Sequence, residues 1–210
     1  MELIAQHVTK TIKRNPILTD INLELYGGKV YGFTGRNGSG KTMLFRALSG
    51  LMRIDRGQVS YNGEILHEKF QVLPDLGITL ENSGVYLEFS GRKNLQMLAG
   101  IHKKIGNTDI DEAIRRVGLD PEDNRPCRKY SLGMKQKIAI AQAIMEHPRI
   151  LMLDEPTNSL DENGVQMLRK IIGEEREKGV MILLASHSKE DIQLLSDEIY
   201  CMVDGTCKKV

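Results

Sequence analysis

The chain has almost no net charge to offer. Its 29 Lys and Arg stand against 28 Asp and Glu, a formal +1, so no electrostatic surplus exists to hold a polyanion nonspecifically, and nucleic acid is not an expected partner. Long apolar runs are missing too. Stretches such as Val180 to Ala185 fall far short of the ~20 residues a membrane-crossing helix needs. The opening MELIAQHVTK lacks the basic segment, apolar stretch and small-residue cleavage site of a secretory signal, so a cytosolic location is expected. Cysteine is scarce: Cys127, Cys201 and Cys207 are odd in number and show no C-x-x-C spacing, which argues for reduced thiols over disulfides or zinc. Internal repeats and low-complexity linkers are absent. With 40% hydrophobic and 27% charged residues in a 210-residue chain, what remains is one ordinary compact globular unit.

What is present alternates between two periods. Val30 to Thr34 is apolar and β-prone, runs into a glycine-rich turn, and is followed by Met43 to Leu48 at helical spacing, giving strand, loop, helix. Ile150 to Leu153 and Val180 to Ala185 are short and wholly apolar, as parallel strands covered on both faces should be. Between them Glu162 to Lys178 reads as a helix with Val165, Leu168, Ile171 and Ile172 on one face. That is a βαβ crossover and predicts an α/β fold with a mainly parallel sheet. The stretch to Leu25, with INLEL alternating, predicts antiparallel strands beside this core. From Arg92 to Met145 the period is helical, as in Leu95, Leu98, Ala99 and Ile110, Ala113, Ile114, Val117. Ser131 is the predicted N-cap of a helix carrying Ile138, Ala141 and Met145 and ending before Pro148.

Gly35 to Thr42 reads GRNGSGKT, matching G-x-x-x-x-G-K-[ST] between a predicted strand and a predicted helix, the context this phosphate-binding loop requires. Glycines let the backbone wrap phosphates, and loop and helix amides point donors at negative charge. The candidate nucleotide-binding set is Gly35, Arg36, Asn37, Gly38, Ser39, Gly40, Lys41, Thr42 and Met43. Lys41 is placed to reach the β and γ phosphates, and the Thr42 hydroxyl to ligate Mg²⁺. The second apolar strand, ILMLDE, ends in Asp154 and Glu155 at the edge where ligands gather in open α/β sheets. Asp154 suits Mg²⁺ through water, and Glu155 suits polarising an attacking water.

Ser131 and Gly133 in YSLGMKQK, placed shortly before that strand, resemble the signature of ABC-type ATPases; Asn158 to Asp161, NSLD, resembles the D-loop; Ser186 and His187 after VMILLA resemble the switch histidine. On these motifs the chain is similar throughout to the ATP-binding subunits of ABC transporters. The resemblance implies a P-loop NTPase core with an antiparallel β subdomain and a helical insertion, a single domain over 1–210 with its core at 1–81 and 147–210 and a helical subdomain at about 82–146. It implies ATP and Mg²⁺ as cofactors, ATP hydrolysis with Glu155 and His187 catalytic, and Ser131 and Gly133 meeting the γ-phosphate bound to a second ATPase subunit, a copy or a homologue. It further implies transmembrane permease subunits as partners and a place on the cytoplasmic face of the membrane. The stretch GVYLEFSGRKNL, Gly84 to Leu95, is expected where the permease docks.

Some positions depart from the family. Glu81 stands where a glutamine is usual; ionised, it ligates Mg²⁺ but donates no hydrogen bond. The aromatic residue that stacks on adenine is missing, with Ile12 the nearest substitute, so weak discrimination among bases is expected. Leu132 and Met134 replace signature Gly and Gln, a form resembling subunits whose separate permeases export small molecules, lipids or antimicrobial peptides. The chain closes on a DG turn and CKKV, so the C-terminal regulatory extension of some importer ATPases is not expected. The rival is a soluble ABC ATPase acting in cluster assembly, or on nucleic acid or the ribosome. A catalytically dead subunit is disfavoured because Lys41, Asp154, Glu155 and His187 are all present.

Overall fold

The computed structural model describes residues 1–80 and 84–210. In chain order the strands are β1 (Glu2–Ile12), β2 (Asn15–Tyr26), β3 (Val30–Thr34), β4 (Arg56–Tyr61), β5 (Glu64–Ile65), β6 (Leu76–Thr79), β7 (Ile150–Asp154), β8 (Met181–Ala185), β9 (Glu198–Val203) and β10 (Thr206–Lys209). The helices are α1 (Lys41–Ser49), α2 (Gly91–His102), α3 (Asn107–Arg116), α4 (Leu132–Ile144), α5 (Glu162–Glu177) and α6 (Lys189–Leu195), with a 3₁₀ turn at Cys127–Lys129.

Six strands form one sheet in the order β10-β9-β3-β8-β7-β6, parallel except for the β9–β10 hairpin. Its central strands β7, ILMLD, and β8, MILLA, are buried along their whole length, and alternation sorts their side chains between two cores. Ile150, Met152, Met181, Leu183 and Ala185 join Phe33, Leu44, Phe45 and Leu48 on one side. Leu151, Leu153, Ile182 and Leu184 join Leu168, Ile171, Ile172 and the helical stretch on the other.

The first core is closed by a second, antiparallel sheet in the order β2-β1-β4-β5. The predicted β1–β2 pair is there, but the sheet is not only N-terminal: the chain returns after α1 to lay β4 and β5 beside β1, and this return carries no strong apolar signal in RGQVSY. The predicted helical stretch holds α2, α3 and α4, with Leu95, Ile110, Ala113, Ile114 and Val117 buried among Ile138, Ala141 and Met145. Thus α4 carries the helical segment and lines the underside of the parallel sheet at the same time.

Candidate nucleotide site

Between β3 and α1 the chain turns through glycines. Gly40 has φ 106° and serves as the N-cap of α1 without a side-chain cap. A β-carbon there would meet the Ile17 carbonyl at 3.0 Å, and the left-handed backbone already penalises any other residue. No acidic residue lies in the first turn. The first amides of a helix have no intrahelical acceptor, so an uncapped start next to a lysine is an anion site by construction. Ser39 adds a hydroxyl that is buried and has no hydrogen-bond partner, a group whose burial calls for one.

Lys41 is 6% exposed. Its ammonium donates to the Gly35 carbonyl at 2.8 Å and the Arg36 carbonyl at 3.5 Å, and lies 3.5 Å from Glu155 Oε1. Glu155 follows the end of β7 in a left-handed conformation, φ 49°, fixed by its amide, which donates to the Ala185 carbonyl of β8 at 2.8 Å. The turn aims its carboxylate across the strand ends. There Oε2 accepts from the His187 amide at 3.2 Å and lies 2.7 Å from His187 Nδ1. One chain of contacts therefore runs from the glycine loop through Lys41 and Glu155 to His187, across the C-terminal ends of β3, β7 and β8, where an open α/β sheet receives ligands. Beside it the Thr42 hydroxyl donates to Asp154 Oδ2 at 2.5 Å.

These groups border an open cavity of about 470 Å³ lined by Asn37 to Met43, Arg46, Asp154, Glu155 and Ile17. Gly35 and Arg36 contribute their carbonyls to Lys41 rather than lining the cavity. Ile17, on β2, is an apolar lining residue absent from the sequence-based set. Arg46, one helical turn beyond Thr42, is a second lining residue absent from the sequence-based set. Glu81, expected as a metal ligand, lies outside the described residues.

Ser131 and Gly133 lie elsewhere. Ser131 caps α4 as predicted, accepting from the Met134 amide at 3.1 Å. Gly133 is packed so closely on the 158–161 loop that a β-carbon would stand 2.7 Å from the Ser159 carbonyl. Together these residues line a separate cavity of about 500 Å³ with Leu132, Met134, Lys137, Leu160 and Asp161. The two cavities share no lining residue.

Comparison with known proteins identifies the family. Residues 18–158 match the family model described as ABC transporter. The chain belongs to that family. It is 43% identical over 191 residues to the uncharacterised ABC transporter ATP-binding protein YybJ of Bacillus subtilis, covering 91% of this chain and 88% of that protein. It is 37% identical over 203 residues to the bacitracin transport ATP-binding protein BcrA of Bacillus licheniformis, covering 94% of this chain but 65% of that protein. In structure it is similar, at TM-score 0.85 and 22% identity over 99% of this chain and 98% of the other, to MJ0796, a bacterial ABC transporter cassette described as dimeric. The ABC subunit is an ATP-binding protein and an ATPase, and transport prevails over the soluble alternative because the relatives are named for it.

Proposed function

We propose that the ABC subunit is half of a nucleotide sandwich, a single domain over 1–210 with its helical subdomain at about 82–146, in which the 35–43 loop of one chain and Ser131 and Gly133 of another enclose one ATP. The observation behind this reading is that the cavity bordered by Lys41 and Glu155 and the cavity bordered by Ser131 and Gly133 share no lining residue: one chain owns two half-sites that do not meet.

In this reading the amides of the loop and of the α1 N-terminus take the phosphates, and Lys41 exchanges the Gly35 and Arg36 carbonyls for phosphate oxygens. That exchange draws the ammonium away from Glu155 and leaves its carboxylate to accept the proton of a water attacking the γ-phosphorus. The bond to the bridging oxygen breaks, giving ADP and phosphate. His187 holds the Glu155 carboxylate in place and adds a donor toward the γ-phosphate. Thr42 and Asp154 fit Mg²⁺, since a hydroxyl beside a carboxylate is the hard oxygen pair this ion takes together with phosphates. When bound, the ion neutralises charge on the phosphate oxygens.

The motion of the sandwich drives a transmembrane permease. No helix among the described residues is long and apolar enough to cross a membrane, so the crossing belongs to the partner, and the subunit sits against it on the cytoplasmic face. Tyr86, Leu87 and Phe89 are exposed, and Tyr86 and Phe89 stack edge to face at 6.4 Å. Such an apolar cluster suits a protein interface. The likeness to BcrA favours export of an antimicrobial peptide or similar small molecule as the work done.

The test is Glu155→Gln, which keeps the side chain's shape and removes the base. It should bind ATP with the parental affinity, lose at least about 100-fold in turnover, the usual weight of a general base, and become dimeric in ATP on a sizing column. Parental turnover would remove Glu155 from its role; tight ATP binding by a strict monomer would remove the sandwich.

A further inference from the structure

Asn94, in the first turn of α2, is 4% exposed, and its side-chain hydrogen bonds among the described residues go to Tyr86, Phe89, Ser90 and Cys127. Its side chain is heavily hydrogen-bonded. Oδ1 accepts from the Tyr86 amide at 2.7 Å. Nδ2 donates to the Tyr86 carbonyl at 3.0 Å and the Ser90 carbonyl at 2.9 Å, and lies 3.4 Å from the Phe89 carbonyl and 3.6 Å from Cys127 Sγ. One buried amide thus folds the 86–90 stretch onto itself and presents Tyr86, Leu87 and Phe89 outward.

The other side of that stretch is held by a different segment. The Cys127 amide donates to the Phe89 carbonyl at 2.8 Å and the Arg128 amide to the Leu87 carbonyl at 2.9 Å. These two residues open the 3₁₀ turn, which is closed by Lys129 on Pro126 at 2.9 Å and Tyr130 on Cys127 at 3.1 Å, and Ser131 follows at once. Packing reinforces the tie. A β-carbon on Gly91, where α2 begins, would stand 2.5 Å from Ile138 Cδ1 of α4 and 3.4 Å from the Tyr130 ring. The apolar cluster and the cap of α4 are therefore joined through two hydrogen bonds and one short rigid turn, with no free loop between them.

We propose that Asn94 is a positioning residue that makes the 86–90 stretch and the Ser131 cap move as one body, so that load on the exposed cluster resets the half-site offered to the second subunit. The proposal rests on the sandwich reading for its consequence, but its physical core, the tie between the two segments, does not need it.

Two measurements on the isolated full chain separate these levels. Hydrogen exchange should show Asn94→Ala faster than parent both in 84–90 and in 127–134, with 35–43 unchanged. Faster exchange confined to 84–90, or no change in either segment, would overturn the proposal. In a Glu155→Gln background, Asn94→Ala should raise the ATP concentration for half-maximal dimerisation about tenfold, the scale of one lost buried hydrogen bond, while ADP binding to the monomer stays at the parental value. Unchanged dimerisation would overturn it; a Glu155→Gln parent that never dimerises would instead sink the sandwich, with the exchange data still deciding Asn94. Should Asn94→Ala not fold, Asn94→Asp keeps an acceptor for the Tyr86 amide and deletes the donors to the Tyr86, Phe89 and Ser90 carbonyls, with the same two outcomes expected.

Discussion

Lys41 stands at the centre of the proposed phosphate site. A buried ammonium needs partners, and here it has two loop carbonyls and a carboxylate, so no charge is stranded. In the proposed function phosphate substitutes for those partners with stronger, charge-assisted bonds. Ile17 makes the opposite point. An aliphatic wall offers a base no ring to stack on and no polar edge to read, so the cavity should recognise phosphates and largely ignore the base. Displacement of a fluorescent nucleotide should give ATP and GTP affinities within about tenfold, because an apolar surface discriminates poorly between similar ligands. Placing an aromatic at the wall, Ile17→Tyr, should tighten ATP by about 1–3 kcal/mol if stacking is what is missing. Strong ATP preference in the parent would show that another group reads the base.

At the level of elements, α4 joins the functions. Its N-terminus carries Ser131 and Gly133, its body packs on α2 and α3, and its buried residues underlie the parallel sheet. Ser131→Ala removes a cap and should cost about 1 kcal/mol of stability. Gly133→Ala places a methyl 2.7 Å from the Ser159 carbonyl, so the 158–161 loop must shift. Both substitutions should abolish ATP-driven dimerisation yet leave ADP affinity untouched, since the phosphate loop lies in another cavity; calorimetry with ADP beside a sizing column in ATP reads the two effects apart. A fall in ADP affinity would mean that the half-sites communicate inside one chain. Much of this was legible in sequence: apolar β3, β7 and β8, the loop between β3 and α1, the Ser131 cap and the helical run all announce themselves locally. The strands β4, β5, β6, β9 and β10 did not, because short, partly polar strands acquire their identity from partners distant in the chain. Ile17 escaped for a related reason. The β1–β2 ladder shifts register between Ala5 and Val8, between Val8 and Lys10 and between Lys10 and Thr11, and counting along the chain no longer says which residue borders the cavity.

Across the whole molecule, β10 is the last strand in the hydrogen-bonded order of the six-stranded sheet and also packs against β2 of the other sheet. Glu198, at the start of β9, meets Lys29 beside β3 and Lys209 of β10, each at 2.8 Å. The Lys209 and Lys29 ammonium groups hold its carboxyl down to about 2, from an ordinary 4.5. A depressed folded-state pKa means that the unfolded chain takes up the proton first on acidification, so the contribution is complete above about pH 4.5 and is lost as pH falls through that range toward 2. The cluster is partly open to water, which limits its worth to about 1 kcal/mol. Urea unfolding at pH 7 should therefore find Glu198→Gln less stable than the parent by about that amount, and the gap should close as both are acidified toward pH 2, with ATP affinity at pH 7 unaffected. A gap that stayed constant across this range would make Glu198 a packing residue, and the attachment of β10 would then rest on its ladder to β9 and its packing against β2.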